Sequence, residues 1–103
     1  MKRTLTDTEY IQQLVAEGEH IHQDFKFEIS DARKIARSLS AFANTEGGRL
    51  LVGIKDNGKI AGIRSEEEIY MIEAAAEMYC QPSMEVKTQT YLAEGRTILK
   101  VTI

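Results

Sequence analysis

Residues 41–58 read Ala41-Phe42-Ala43-Asn44-Thr45-Glu46-Gly47-Gly48-Arg49-Leu50-Leu51-Val52-Gly53-Ile54-Lys55-Asp56-Asn57-Gly58, in which a helix pattern, a glycine exit, a β pattern and a hairpin signal follow without a gap. Asn44 to Gly48 must end the helix, because the paired glycines supply the positive φ that a sharp exit requires. Residues 49–54 are β-rich, Asp56-Asn57-Gly58 is a hairpin turn signal, and residues 59–63 form the expected return strand.

Working back toward the N-terminus, Ala32, Ile35, Ala36, Leu39, Phe42 and Ala43 recur at three- and four-residue intervals, so this helix buries one stripe and is capped by Ser30 or Asp31. Arg33, Lys34 and Arg37 fall off that stripe, with Arg33 and Arg37 one turn apart on the same side. Before the helix, residues 21–27 alternate. Ile21, Phe25 and Phe27 are expected on one strand face, and His22, Asp24, Lys26 and Glu28 on a wet one. Thr6-Asp7-Thr8-Glu9 has capping-box spacing for a first helix that runs to about Ala16 and stops at Gly18.

Toward the C-terminus, Ser65-Glu66-Glu67-Glu68 is a second capping box, and Ile69, Ile72, Ala76 and Tyr79 make a buried stripe ending near Cys80 and Pro82. Residues 84–92 and 97–103 alternate around a turn at Ala93-Glu94-Gly95, which predicts a terminal hairpin. The expected fold class is α+β, a single domain in αβαββαββ order, with a mixed β-sheet and helices covering a face. Residues 1–18 are expected to be an N-terminal helix and residues 19–103 the domain proper. The chain stops inside its last strand, from which a fragment of a longer protein is expected.

Composition bounds the function classes. At 103 residues there is room for one core. Hydrophobic residues at 43% with a single proline mark a globular chain. No apolar run approaches the roughly 20 residues of a membrane span, and the N-terminus turns acidic at Asp7 before any signal-like core, so a cytoplasmic location with no membrane partner is expected. Cys80 has no partner for a disulfide or a metal and is expected in the core. The net charge of -3 hides an asymmetry: residues 24–63 carry a surplus of two positive charges, and residues 64–103 a surplus of three negative ones.

The segment Asp24-Phe25-Lys26, the run from Ala41 to Gly58, and Ile60-Ala61-Gly62 together resemble the Schlafen/AlbA-type domain. That pattern is an acid-Phe-Lys strand, a helix ending in Ala-Phe-Ala-Asn-Thr-x-Gly-Gly, and a Gly-Ile-x-Asp-x-Gly-x-Ile-x-Gly hairpin, and the resemblance covers most of the chain after Gly18. It implies nucleic-acid binding, often within bacterial proteins described as transcriptional regulators and sometimes as divergent AAA, ATP-binding proteins. In eukaryotic relatives it implies a metal-dependent RNA-cleaving site, which by position would be Glu19, Asp24 and Asp56. The family usually has Glu where this chain has Asp24.

The expected function is a non-enzymatic nucleic-acid-binding domain, with DNA as the expected polymer, that holds backbone phosphates through Lys26, Arg33, Lys34, Arg37, Arg49 and Lys55 and needs no cofactor. The alternative is a nuclease. Asp24 and Lys26 share a strand face, so the carboxylate could hold Mg²⁺ or Mn²⁺ while Lys26 steadies developing charge; Glu19 joins them only if the chain bends near His20. His20 and His22 have no further ligand at zinc spacing. The loop residues Asn44, Thr45, Gly47 and Gly48 could offer amides to a phosphate, but the loop follows a helix and lacks a phosphate-loop lysine, so a tight turn is expected instead of an ATP site. A structural or homo-oligomerisation role, pairing through the terminal hairpin, is the third expectation.

Overall fold

The computed structural model describes residues 5–103, so the first four residues of the segment 1–18 lie outside the described residues. Helix α1 (Asp7–Ala16) opens with the expected capping box, in which Thr6 Oγ1 accepts from the Glu9 amide and the Glu9 carboxylate accepts from the Thr6 amide. Strand β1 (Gln23–Lys26), helix α2 (Ala32–Ala43) and strand β2 (Arg49–Val52) form a parallel βαβ unit with Gln23 opposite Arg49 and Lys26 opposite Val52. Asp31 is the cap of α2, accepting from the Arg33 and Lys34 amides. Helix α3 (Glu67–Ala74) continues into a π-helical turn, Ala75–Tyr79. Strands β3 (Lys87–Ala93) and β4 (Arg96–Thr102) close the chain as a hairpin, and β4 also pairs antiparallel with β2, giving the order β1-β2-β4-β3. The chain thus adopts the expected α+β class with one mixed sheet.

Alternation along the sheet divides the core in two. Leu50, Val52, Leu99 and Val101 meet α2 and α3 through Ile35, Leu39, Phe42 and Ile72. Phe25, Leu51 and Ile98 point the other way and meet Ile11 and Leu14 of α1. Helices therefore cover both faces, because β2 is apolar on both sides and each side needs a cover.

Four local expectations are corrected. The strand expected over 21–27 is only four residues long, because His20 and Gln23 exchange backbone hydrogen bonds of 2.9 and 3.0 Å around a two-residue turn. Ile21 sits at that turn, 67% exposed, and Phe27 is 48% exposed beyond the strand end. The return strand expected at 59–63 is a loop that meets 49–54 through a bridge between Ile54 and Ile60 and through Gly53 O, which accepts from the Ala61 and Gly62 amides at 2.8 and 2.9 Å. Both edges of β2 are already occupied, by β1 and β4, so a further strand has nowhere to pair. The two segments cross at Gly53, whose φ is +97° and whose missing Cβ would lie 2.8 Å from the Gly62 carbonyl carbon. The second capping box forms differently: Ser65 Oγ accepts from the Glu67 amide, while Glu68 is buried and accepts from Ile29 N at 2.7 Å and Arg64 N at 2.9 Å. Finally, Tyr79 is not in the buried stripe. The π turn adds a residue to the helical repeat and rotates its ring outward, to 42% exposure.

Candidate functional site

The outer edge of β1 carries the acidic half of the site. His22 O and Lys26 O accept from Arg49 N and Gly53 N, so the even-numbered backbone groups face β2 and the Phe25 amide faces outward. Two carboxylates gather at that open amide: Asp24 Oδ1 at 3.0 Å and Glu19 Oε2 at 3.4 Å. The bend that Glu19 needs is the His20–Gln23 turn. Contact with Asp24 close enough to share a proton raises the Glu19 pKa, with partial burial and the negative charges of Asp24 and Asp56 adding to the rise and the Phe25 amide opposing it. Lys26 Nζ lies 3.4 Å from Asp24 Oδ2.

This chain's donors suit a hard cation in kind, since all are carboxylate oxygens and a cation would relieve the repulsion between Glu19 and Asp24. They suit it in number only as a pair: among the described residues no three His, Cys, Asp or Glu side chains come together to hold a metal ion, and Asp56 contributes its charge from a distance. His20 and His22 are engaged locally. His20 Nε2 lies 3.2 Å from Glu17, and His22 Nδ1 donates to Gly47 O at 2.9 Å.

An open cleft of about 480 Å³ runs beside the pair, between β1 and α2, where Ser38, Phe42 and Thr45 face Glu19 and Asp24. Ser38 carried no sequence signal of function because it falls between the buried stripe and the cations, whereas Phe42 was read as core and Thr45 as part of the glycine loop.

The cations divide over the two flanks of α2. Lys34 shares a small cleft with Lys26 on the β1 flank. Arg33 and Arg37 line a groove on the opposite flank together with Ser40, Asn44 and Tyr79, and the Arg33 guanidinium stands 5.3 Å from the centre of the Tyr79 ring. Lys55 is exposed, 5.9 Å from the Phe27 ring. Arg49 is set apart from all of these. Its guanidinium pairs with Glu17 at 2.6 Å and donates to Gln23 Oε1, while the buried Gln23 donates onward to the carbonyls of Leu14 and Gly18, tying the end of α1 to the sheet. The Glu17 pKa is lowered, by its hydrogen bond with His20 first and by the Arg49 charge as well.

The glycine loop leaves few amides for a phosphate. Asn44 N donates to Ser40 O, Thr45 N and Gly47 N both donate to Phe42 O, and Gly48 N donates to Ile103 O. Thr45 Oγ1 donates back to Ala41 O at 3.0 Å. Gly48 is required by packing, because a Cβ there would lie 2.5 Å from the Phe42 ring and 2.9 Å from His22 O. These bonds hold residues 44–48 in a tight helix-to-strand turn.

The solution NMR structure of the N-terminal domain of a RecG-related protein from Nitrosomonas europaea has the same fold, with a TM-score of 0.65 at 24% identity over 95% of this chain and 72% of that one. No curated protein matches the chain. The family profile described as Schlafen, AlbA_2 matches residues 19–103, from the carboxylate pair on β1 to the end of the terminal hairpin, and the chain belongs to that family.

Proposed function

We propose that this domain binds nucleic acid, with DNA as the polymer, and holds its backbone phosphates on the exposed surface of α2. The observation that carries the reading is the state of the helix cations: Arg33, Lys34 and Arg37 are exposed, and among the described residues none of them pairs with a carboxylate. Lys55 is a further exposed cation, whereas Lys26 and Arg49 have their charges met by Asp24 and Glu17. Family membership and the RecG-related neighbour, whose name relates it to an ATP-dependent DNA helicase, support a nucleic-acid partner. Retention of the chain on immobilised DNA at low salt, with release as salt rises, is the expected result. Failure to bind DNA at low salt contradicts it.

The closeness of Glu19 and Asp24 favours a second reading, divalent-metal-assisted cleavage of RNA. Glu19 and Asp24 would hold a Mg²⁺ or Mn²⁺ ion with Asp56 nearby, and the ion would supply charge stabilisation at a phosphodiester. Lys26, held beside Asp24, would orient a phosphate oxygen, and the Phe25 amide fixes the carboxylate positions. Metal-dependent cleavage of labelled RNA by the wild-type chain, reduced in Asp24→Asn and Asp56→Ala, supports this reading; equal cleavage by all three removes the assignment.

A further inference from the structure

The π turn that ends the third helix exposes an aromatic ring that the amphipathic pattern would bury. Tyr79 is 42% exposed, on the flank of α2 away from the carboxylate pair. Around it lie two guanidinia without carboxylate partners among the described residues, Arg33 and Arg37, together with Asn44 and Ser40, and they enclose an open groove of about 590 Å³. Arg33 stands against the ring at 5.3 Å, so the ring has a cationic neighbour and retains exposed surface.

An aromatic face beside unpaired cations, with an amide side chain within reach, is the chemistry that recognises an unpaired nucleotide: the base stacks on the ring and its phosphates meet the guanidinia. A duplex offers phosphates to such a groove but keeps its bases stacked on one another. We infer that the groove between α2 and the π turn binds single-stranded nucleic acid, with one unpaired base stacked on Tyr79 and the flanking phosphates held by Arg33 and Arg37. This inference rests on the proposed nucleic-acid binding and specifies which form of the polymer is preferred. Asn44 lies at the end of the groove, where its side-chain amide can meet a base edge; Ser40 is partly taken up by a 3.5 Å contact to the Cys80 sulfur.

The test compares labelled single strands of about 12 nucleotides, oligothymidine and oligouridine, with a duplex of the same length, by fluorescence anisotropy at low salt. The full chain is used as wild type, Tyr79→Phe, Tyr79→Ala and Arg37→Gln, and circular dichroism melts confirm that each variant is folded. Tyr79→Ala is expected to weaken single-strand binding about tenfold and duplex binding less than twofold, while Tyr79→Phe keeps near wild-type affinity. Arg37→Gln is expected to reduce the salt slope by about 0.7 for the single strands. Wild-type binding to single strands that is indifferent to Tyr79→Ala overturns this inference and leaves phosphate binding by α2 standing. Absence of binding to all three polymers overturns the proposed function and this inference with it.

Discussion

At the scale of single residues, two side chains, Glu19 and Glu68, do work that their sequence positions advertise unequally. Glu19 sits against Asp24, and its raised pKa has a definite sign. The folded state holds the Glu19 proton more tightly than the unfolded chain, so this group lowers stability as pH rises from below its ordinary value of 4.5 through the raised one, and the loss then levels off. Glu19→Gln removes that dependence. Thermal melts from acid to neutral pH should show a flatter profile and a neutral-pH gain of about 0.5 kcal/mol or less, since the pair is largely solvated. Glu68 has a larger effect because it is buried and accepts from two backbone amides, one leading into α2 and one into its own helix. Glu68→Ala leaves both without that partner and should cost about 2–3 kcal/mol in urea unfolding, while Glu68→Gln retains an acceptor oxygen and should cost less. The sequence made the meeting of Glu19 and Asp24 conditional on a bend near His20, since strand parity alone puts them on opposite faces, and it read Glu68 only as part of a capping box, with no sign of its bond to Ile29 N.

At the scale of elements, the run from Ala41 to Val52 was legible because cap, stripe, exit and β pattern agree with one another. The element misread was the return strand. Local turn chemistry at Asp56-Asn57-Gly58 argued for a hairpin, and the bridge between Ile54 and Ile60 shows that the turn forms. Long-range pairing then decided the rest, since β1 and β4 already take both edges of β2. Gly53 marks the place where the chain leaves the sheet. Gly53→Ala introduces a Cβ against Gly62 at a φ of +97° and should destabilise the fold by about 2 kcal/mol or more, measured by denaturant midpoint. Tyr79 is the second element-level misreading: a helical stripe assumes 3.6 residues per turn, and a π turn breaks that arithmetic within five residues.

At the scale of the whole molecule, the two-faced sheet joins the segment before Gly18 to the domain. Ile11 and Leu14 of α1 are buried against Phe25, Leu51 and Ile98, and Gln23 and Arg49 tie its C-terminal end to the sheet. Although the family profile begins at residue 19, a chain lacking residues 1–18 uncovers that sheet face. Losing the burial of these two side chains alone costs about 3–6 kcal/mol, a large share of the stability of a small domain, so the truncated chain should lose its cooperative melt. The distribution of charge is also a property of the assembled fold. Salt bridges on the α1 and β1 side meet Arg49 and Lys26, whereas the outer surface of α2 keeps its cations free of carboxylates among the described residues. The sequence located those three cations off the apolar stripe, but their division between the two flanks of α2 followed only from the packing of that helix. The central claim is that this surface holds nucleic-acid phosphates, and it is tested most directly by DNA affinity as a function of salt for the wild type and for the triple variant Arg33→Gln, Lys34→Gln, Arg37→Gln. The account predicts a steep wild-type slope that falls by about two to three in the variant, with weaker binding at every salt concentration; identical slopes and affinities in a folded variant would contradict it.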